Sequence, residues 1–358
     1  MSRRSLTALL LSVSSLLATT VGLGVNAVLA DCGGAPCSCG DTVDVDTTLD
    51  PLVDPVCSTG PADTCPAVGL FVNAGISLNL GNGTLRGAAD SIFGVTGKAG
   101  AQVRGGRISG FGELSVELVG DGGTVSNVQV RDVGGFGIEV IGNTSRVEKS
   151  IVRNSGGGVA VFGDDNIVSA VQALDNRRRG VSIVGGGNTV EKTNAFRNGE
   201  EGIILFGNDN AARSNNAQGN RHGVAALDTI GNDNVVIANN TVLGNTLCGI
   251  VIAGTSAHAT VTQNQTRYNG TGLCLEGSDH SVSLNVVSAS AGDGISVSAT
   301  GSAFERNSSN SNGSANDPRF GIVDVTTGGG TGGTANTYIR NICRANLAGA
   351  SDPAGLCK

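Results

Sequence analysis

Residues 177–198 read RRRGVSIVGGGNTVEKTNAFRN, and residues 199–220 follow at once with GEEGIILFGNDNAARSNNAQGN. Both blocks have 22 residues and agree in the positions of their glycine, apolar and asparagine residues. The tetrapeptide that they share, a glycine followed by apolar, variable and apolar residues, recurs in eight places, at Gly137, Gly158, Gly180, Gly202, Gly223, Gly249, Gly272 and Gly294. A period of about 22 residues that survives so many copies predicts a repeat architecture.

The tetrapeptide alternates as a β-strand does. Ile138 and Val140 point to one side of an extended chain and Glu139 to the other. Asparagine, which favours turns and left-handed backbone, recurs in three columns. The first holds Asn154, Asn176, Asn198, Asn220, Asn245, Asn269 and Asn312; the second holds Asn194, Asn216, Asn240, Asn264, Asn285 and Asn307; the third holds Asn166, Asn188, Asn210 and Asn234. Three turns per repeat predict three short strands per coil.

Coils of this kind stack so that each strand pairs in parallel with its copies above and below. The repeat therefore predicts an all-β, single-domain solenoid of about 11 or 12 coils with disulfide-stapled caps at its ends. The repeats resemble the right-handed parallel β-helix of the pectate-lyase-like superfamily and of secreted bacterial β-helix repeat proteins, over about residues 66–312. The hexapeptide rhythm of left-handed β-helices is absent. The resemblance implies a fold and no single activity.

The two ends of the chain differ in composition from the repeats. Residues 1–30 have the pattern of a signal peptide, with Arg3 and Arg4 before an apolar stretch and a small-residue cleavage site that ends at Ala30. We expect a Cys-rich N-terminal cap over residues 31–68, repeats over 69–312 and a C-terminal cap over 313–358. The mature chain is then secreted, periplasmic or at the cell surface, with no membrane span after cleavage.

Charge and cysteine content limit the partners and the compartment. The net charge is −7, and loss of the two arginines of the signal makes it −9. This balance argues against nucleic acid as a partner, because phosphate binding needs a basic face. Nine cysteines predict disulfides and an oxidising compartment. In straight strands Cys248 and Cys274 would be about 10 Å apart, beyond disulfide reach, so we expect an irregular coil there or free thiols.

Comparison of the repeats column by column places Arg179, Glu201 and His222 on three successive coils. Glu201 and His222 are the predicted catalytic residues, with Glu201 as base or metal ligand and His222 as acid or base. The groups predicted to bind substrate are Arg178, Arg179, Glu200 and Arg221. The alternative is a surface ion-pair ladder of little energetic value.

The function predicted from these features is an exported β-helix that presents a rigid face for binding of an extracellular polysaccharide or cell-surface glycan, without a complete catalytic site. The alternative is a polysaccharide lyase or glycoside hydrolase that acts on an acidic polysaccharide. The Trp-x-Asp-His sequence of pectate lyases and the Asp-Pro-His-Asp sequence of uronate epimerases are both missing. No cofactor or metal ligand set is predicted, and calcium has no supporting motif. A copper-processing role rests on resemblance alone, and the scarcity of Met and His argues against it.

Overall fold

A computed structural model describes residues 36–54, 64–227 and 232–358, together with Cys32 and Val56. The predicted signal peptide lies outside these residues. The described chain forms three parallel β-sheets that wind around one core, and its helical structure is limited to a 3-10 turn at Thr331–Gly333. One further pair of strands, Gly313–Ser314 and Asp317–Pro318, is antiparallel.

The first sheet has 14 strands in the described chain and contains the Gly-apolar-x-apolar tetrapeptides. Its strands are Asp41–Val43, Val68–Val72, Phe93–Gly97, Leu114–Val119, Phe136–Ile141, Gly157–Phe162, Val181–Val184, Ile203–Phe206, Val224–Leu227, Cys248–Ala253, Thr271–Leu275, Ile295–Val297, Phe320–Asp324 and Gly349–Asp352.

The second sheet has 13 strands among the described residues and follows the first in each coil. Its strands are Thr47–Thr48, Ser77–Asn79, Gln102–Arg104, Thr124–Ser126, Arg146–Glu148, Ile167–Ser169, Thr189–Glu191, Ala211–Arg213, Val236–Ala238, Thr260–Thr262, Ser281–Ser283, Ala303–Glu305 and Thr337–Ile339.

The third sheet has 12 strands in the same part of the chain and completes each coil. Its strands are Thr84–Arg86, Arg107–Ser109, Gln129–Arg131, Ile151–Arg153, Gln172–Leu174, Asn194–Phe196, Asn216–Gln218, Thr241–Leu243, Gln265–Arg267, Val286–Ser288, Ser308–Asn310 and Ile342–Arg344. Twelve strands are separated by 11 steps from coil to coil, so the predicted β-helix of about 11 or 12 coils with three strands per coil is confirmed.

The core is the narrow space between the three sheets. Inward side chains of successive coils stack directly because the strands are in register, as Ile138, Val159 and Val181 do in the first sheet. All three are fully buried. The tetrapeptide glycine precedes them where the chain enters the sheet. A Cβ at Gly137 would lie 2.2 Å from a methyl group of Val152, so this position excludes larger residues.

Asparagine ladders join the coils at the turns. Asn198 illustrates the pattern, because its backbone N–H donates to Asn220 Oδ1 (2.8 Å) and its Nδ2 donates to the same oxygen (3.1 Å). For three members of the predicted columns, the residue that forms the ladder is the sequence neighbour of the predicted asparagine. The first ladder continues through Ser155 instead of Asn154, and the second uses Thr193 and Asn215 instead of their strand neighbours Asn194 and Asn216. Asn234 is exposed with φ of 57°, outside the third ladder.

Four disulfides connect described cysteines: Cys32–Cys37, Cys39–Cys65, Cys248–Cys274 and Cys343–Cys357. Two lie near the start of the described chain and one lies at its end, as predicted for the caps. Of the two alternatives for Cys248 and Cys274, free thiols are wrong, because the two form a disulfide; their Cα atoms are 6.1 Å apart, so the coil departs from straight-strand geometry, as the other alternative predicted. Val251 is the residue paired with Cys274, so the chain must bend between Cys248 and Val251 to bring the two cysteines together.

Near the C-terminal end a carboxylate takes an inward position that is apolar in the preceding coil. Asp324 pairs with Val297 and is 4% exposed. It accepts hydrogen bonds from Tyr338 Oη (2.7 Å) and Asn336 Nδ2 (2.9 Å). The Tyr338 ring in turn stacks on Phe304, with 4.6 Å between centroids. The buried carboxylate near the C-terminal end of the core is therefore fully hydrogen-bonded.

Candidate functional site

The outer face of the first sheet carries two columns of side chains that run along the rod. We call the first the floor column; its described members include Glu117, Glu139, Ala160, Ser182, Ile204, Ala225, Val251 and Cys274. Two residues further along each strand lies the second, which we call the apolar column; it includes Val119, Ile141, Phe162, Val184, Phe206, Leu227 and Ala253.

The apolar column is unusual for a sheet face turned toward water. A sheet of this kind normally alternates apolar residues inward with polar residues outward. Here seven successive coils place an apolar side chain outward, and all seven retain solvent exposure, from partial burial at Phe162 and Phe206 to 38% exposure at Val119. Extended apolar patches on a protein surface are a common feature of binding sites.

Arg179 lies across this face at its middle. Its Nε is 3.2 Å from Glu201 Oε2 and 3.4 Å from Glu200 Oε2, and its guanidinium carbon is 5.4 Å from the centroid of the Phe206 ring. The Glu201 side chain is only 8% exposed. The structure thus brings together the predicted residues Arg179, Glu200 and Glu201, and the guanidinium neutralises the buried carboxylate.

His222 is one coil further on and half-buried. Its Nδ1 accepts the backbone N–H of Cys248 at 3.2 Å. Burial lowers the pKa of His222, and Arg221 lowers it further, while Glu201 acts in the opposite direction. An imidazole nitrogen that accepts an N–H is unprotonated, so His222 is a neutral ring in this arrangement. Arg221 itself is exposed beside it.

Arg178 has different surroundings. It lines a concavity of about 360 Å³ with Phe136, Glu113 and backbone from three coils. The neighbouring Arg177 donates from Nη2 to the carbonyl of Gly134 at 2.8 Å. Arg178 is thus a predicted substrate-binding residue that borders a concavity. The catalytic and binding roles of all six residues stay predictions.

Two carboxylates that the sequence comparison missed stand next to each other in the floor column. Glu117 and Glu139 are paired across adjacent strands, and both are partly buried. Burial raises the pKa of Glu117, while burial and, secondly, the charge of Glu117 raise the pKa of Glu139 to about 7. The signal was in the sequence, because Ser115-Val116-Glu117-Leu118 is the tetrapeptide with serine in place of glycine.

Metal binding has no geometric basis in the described residues, where no three His, Cys, Asp or Glu side chains converge in a way that could hold an ion. Asp164 and Asp165 are adjacent carboxylates in the turn that follows the strand Gly157–Phe162, and Asp164 accepts the backbone N–H of Gly186 in the next coil at 2.7 Å. Its neighbour Asp165 has a positive φ of 57°. This aspartate pair therefore serves the turn.

Comparison with known proteins addresses the fold. Residues 114–266 match the model of the right handed beta helix region. The A-module of mannuronan C-5 epimerase AlgE4 from Azotobacter vinelandii has a TM-score of 0.57 and 15% identity, covering 80% of this chain and 88% of that one. A double mutant of the periplasmic alginate epimerase AlgG has a TM-score of 0.64 and 12% identity, covering 84% of each chain. No curated protein matches the sequence.

Identities of this size establish a shared architecture and nothing about chemistry. The matched region includes the Arg179 cluster and the Glu117–Glu139 pair, so both are parts of the regular solenoid. The chain has the fold of a right-handed parallel β-helix.

Proposed function

We propose that this protein binds an extracellular polysaccharide or cell-surface glycan along the outer face of the first sheet. The observation that carries the proposal is the apolar column, which remains solvent-accessible over seven coils. Phe162 and Phe206 lie in it two coils apart, with the Arg179 guanidinium over the Phe206 ring, and aromatic side chains can pack against the apolar sides of sugar rings. A rigid rod supplies such a surface with little loss of conformational entropy on binding.

Two further findings support a glycan as the ligand. The solved structures that share the fold include epimerases named for mannuronan and alginate, which are polysaccharides. Four disulfides fit an oxidising compartment, where extracellular glycans are met. We therefore place the mature chain outside the cytoplasm, after removal of residues 1–30, with residues 31–68 and 313–358 as caps. Among the described residues no helix has the length and apolar character of a membrane span.

The test is retardation of the protein in native gels that contain single polysaccharides, both uronate-containing and neutral. The variant Phe162→Ser/Phe206→Ser should lose retardation on the polysaccharide that slows the wild type. Phe196→Ser is the matched control, because Phe196 is a partly buried, outward phenylalanine on the third sheet. Equal retardation of the double variant and the wild type would contradict the proposal, as would the absence of retardation across the panel.

The Glu117–Glu139 pair favours a second function, acid–base catalysis on the bound glycan. A carboxyl group with a pKa near neutrality can donate or accept a proton at working pH, and Glu139 has a pKa of about 7. Its neighbour Glu117 supplies a second carboxylate on the same face. In contrast, the predicted base Glu201 is buried against Arg179.

Activity assays separate the two functions and the two pairs of residues. A lyase releases unsaturated uronate ends, and a hydrolase releases reducing ends. We expect turnover, where present, to fall by at least about 100-fold in Glu139→Gln and to persist in Glu201→Gln. Loss of turnover in Glu201→Gln alone would instead favour the Glu201–His222 prediction. Retardation on gels without any product would leave binding as the function.

A further inference from the structure

A second concave surface lies on the third sheet, on a different side of the rod from the apolar column. It has a volume of about 480 Å³ and extends over four successive coils. We call it the arginine cleft; its lining residues are Arg107, Gln129, Val130, Arg131, Ile151, Arg153, Gln172 and Leu174. The three arginines and two glutamines are exposed. The cleft contains no acidic side chain in its lining, although the protein as a whole is acidic.

The arginines of the cleft lie close to one another although their like charges repel. Arg131 and Arg153 are direct partners across adjacent strands, about 4.8 Å apart along the rod. Like charges placed opposite each other destabilise a sheet. Arg107 faces the same cleft from the coil before, where it pairs with Gln129. Three guanidinium groups on three successive coils thus create a local positive field.

The acidic groups at the edge of the cleft leave most of this charge uncompensated. Asp132 is 3.7 Å from Arg131 Nε. The hydrogen bonds of Arg197, at 2.7 and 2.8 Å, are the main cause that lowers the pKa of Asp175, and the charge of Arg153 lowers this pKa only through space. In the part of the chain that the structure describes, neither Arg107 nor Arg153 forms an ion pair within 4.0 Å.

We propose that the arginine cleft is a binding site for an anionic polysaccharide, whose carboxylate or sulfate groups pair with Arg107, Arg131 and Arg153. A planar guanidinium can bind either anion through two parallel hydrogen bonds. Gln129 and Gln172 supply amide donors and acceptors for sugar hydroxyl groups. Ile151 and Leu174, both partly buried, offer an apolar base for the sugar ring.

The composition of the cleft favours a polysaccharide over a nucleic acid. Binding of single-stranded nucleic acid uses aromatic side chains on which bases stack, and no aromatic residue lines the cleft. The net charge of −7 also repels a continuous polyphosphate beyond the cleft. A polysaccharide carries its charges further apart and presents hydroxyl groups and apolar ring faces between them. The site is separate from the first-sheet face and does not depend on the function proposed there.

The test measures the affinity of the full mature protein for oligosaccharides of equal length: an oligouronate, a sulfated oligosaccharide and an uncharged cello-oligosaccharide. Arg131→Gln/Arg153→Gln should weaken binding of the preferred anionic probe at least about tenfold and reduce its salt dependence. Arg131→Lys/Arg153→Lys should fall between this variant and the wild type, because it keeps the charge and loses the paired hydrogen bonds. The comparison of oligouronate with sulfated probe identifies which anion the cleft prefers.

Arg213→Gln/Arg267→Gln is the matched control, because both arginines are exposed strand residues outside the cleft and the change in net charge is the same. It should bind within about twofold of the wild type. Equal weakening in both double variants would show nonspecific attraction and overturn the proposal. Unchanged affinity in Arg131→Gln/Arg153→Gln, or tighter binding of single-stranded DNA than of either anionic oligosaccharide, would also overturn it. Binding on the first-sheet face is tested separately by Phe162→Ser/Phe206→Ser.

Discussion

Glu117 and Glu139 are register partners on adjacent strands of the first sheet, both turned outward and both partly buried. Two carboxylates so placed cannot both ionise without cost, because burial and mutual repulsion each favour the protonated form. The floor column continues with Ala160 and Ser182, which bring no cation to this end of the face. The acidic pair therefore has no cation beside it in the floor column on this side.

The pKa of Glu139 predicts a pH dependence of stability. Its folded pKa of about 7 is above the ordinary value of 4.5, so the fold prefers the protonated form. The protonated Glu139 side chain therefore contributes to stability at low pH, and this contribution is lost as the pH rises from about 4.5 to 7. Glutamine has no carboxyl group to ionise, so Glu139→Gln does not lose this stability as the pH rises. The unfolding free energy of the variant should therefore increase relative to that of the wild type by about 1 to 3 kcal/mol between pH 4.5 and pH 7.

Chemical denaturation at a series of pH values measures this difference. The control is Glu113→Gln, since Glu113 is an exposed carboxylate close to the same face and the substitution is identical. Its unfolding curve should follow the wild type at each pH. A constant offset between Glu139→Gln and the wild type from pH 4 to 8 would contradict the raised pKa.

The Arg179–Glu201 contact predicts a structural role for this part of the site. Arg179→Met should lower the free energy of unfolding by about 1 to 3 kcal/mol, because it leaves the carboxylate of Glu201 in a nearly closed environment without its nearest cation. Arg197→Met removes a pair with Asp175 that has two shorter hydrogen bonds, at 2.7 and 2.8 Å, but is exposed to water, and it should have a much smaller effect. Thermal unfolding of both variants makes the comparison. Equal losses would show that burial of Glu201 does not determine the cost.

The disulfide between Cys248 and Cys274 predicts a measurable loss on its removal. It closes a segment of 26 residues on neighbouring coils. The chain-entropy model assigns about 3 kcal/mol to a loop of this length. Cys248→Ser/Cys274→Ser should therefore unfold at lower denaturant concentration than the wild type. A variant as stable as the wild type in the absence of reductant would mean that the bond does not form in solution.

The sequence could predict the coil and its period because the chain has little space where it enters the first sheet. A glycine therefore recurs at this position in most repeats. The sequence could not predict the Cys248–Cys274 bond, because the estimate assumed straight strands and the bend before Val251 is a property of packing. It missed Glu117 because Ser115 replaces the glycine that marks the repeat. The side chains that fill the apolar column were visible as a pattern, but their exposure became known only from the assembled sheet.

The asparagine ladders predict that the position of an asparagine within its coil determines whether its side-chain amide stabilises the solenoid. Asn220 is buried, accepts the backbone N–H of Asn198 at 2.8 Å and donates to the carbonyl of Ala195 at 2.9 Å. Asn220→Ala removes the side-chain acceptor of the buried Asn198 N–H and one donor to the carbonyl of Ala195, a residue that is also paired in the third sheet. We expect a loss of about 1 to 3 kcal/mol, because the Asn198 N–H is left with its desolvation penalty.

Asn194→Ala is the control, because it tests whether Asn194, as predicted from the sequence, or Thr193, as seen in the structure, belongs to the second ladder. Asn194 was predicted as a ladder member, but it is a partly buried residue of a third-sheet strand, and Thr193 occupies the ladder position. Its replacement should change stability by less than about 0.5 kcal/mol. Asn220→Ser should lie between the two, because a serine hydroxyl at the same position of another coil, in Ser155, accepts a backbone N–H at 3.4 Å. A loss in Asn194→Ala as large as that in Asn220→Ala would contradict the register, since Thr193, and not Asn194, donates its backbone N–H to the ladder oxygen of Asn215.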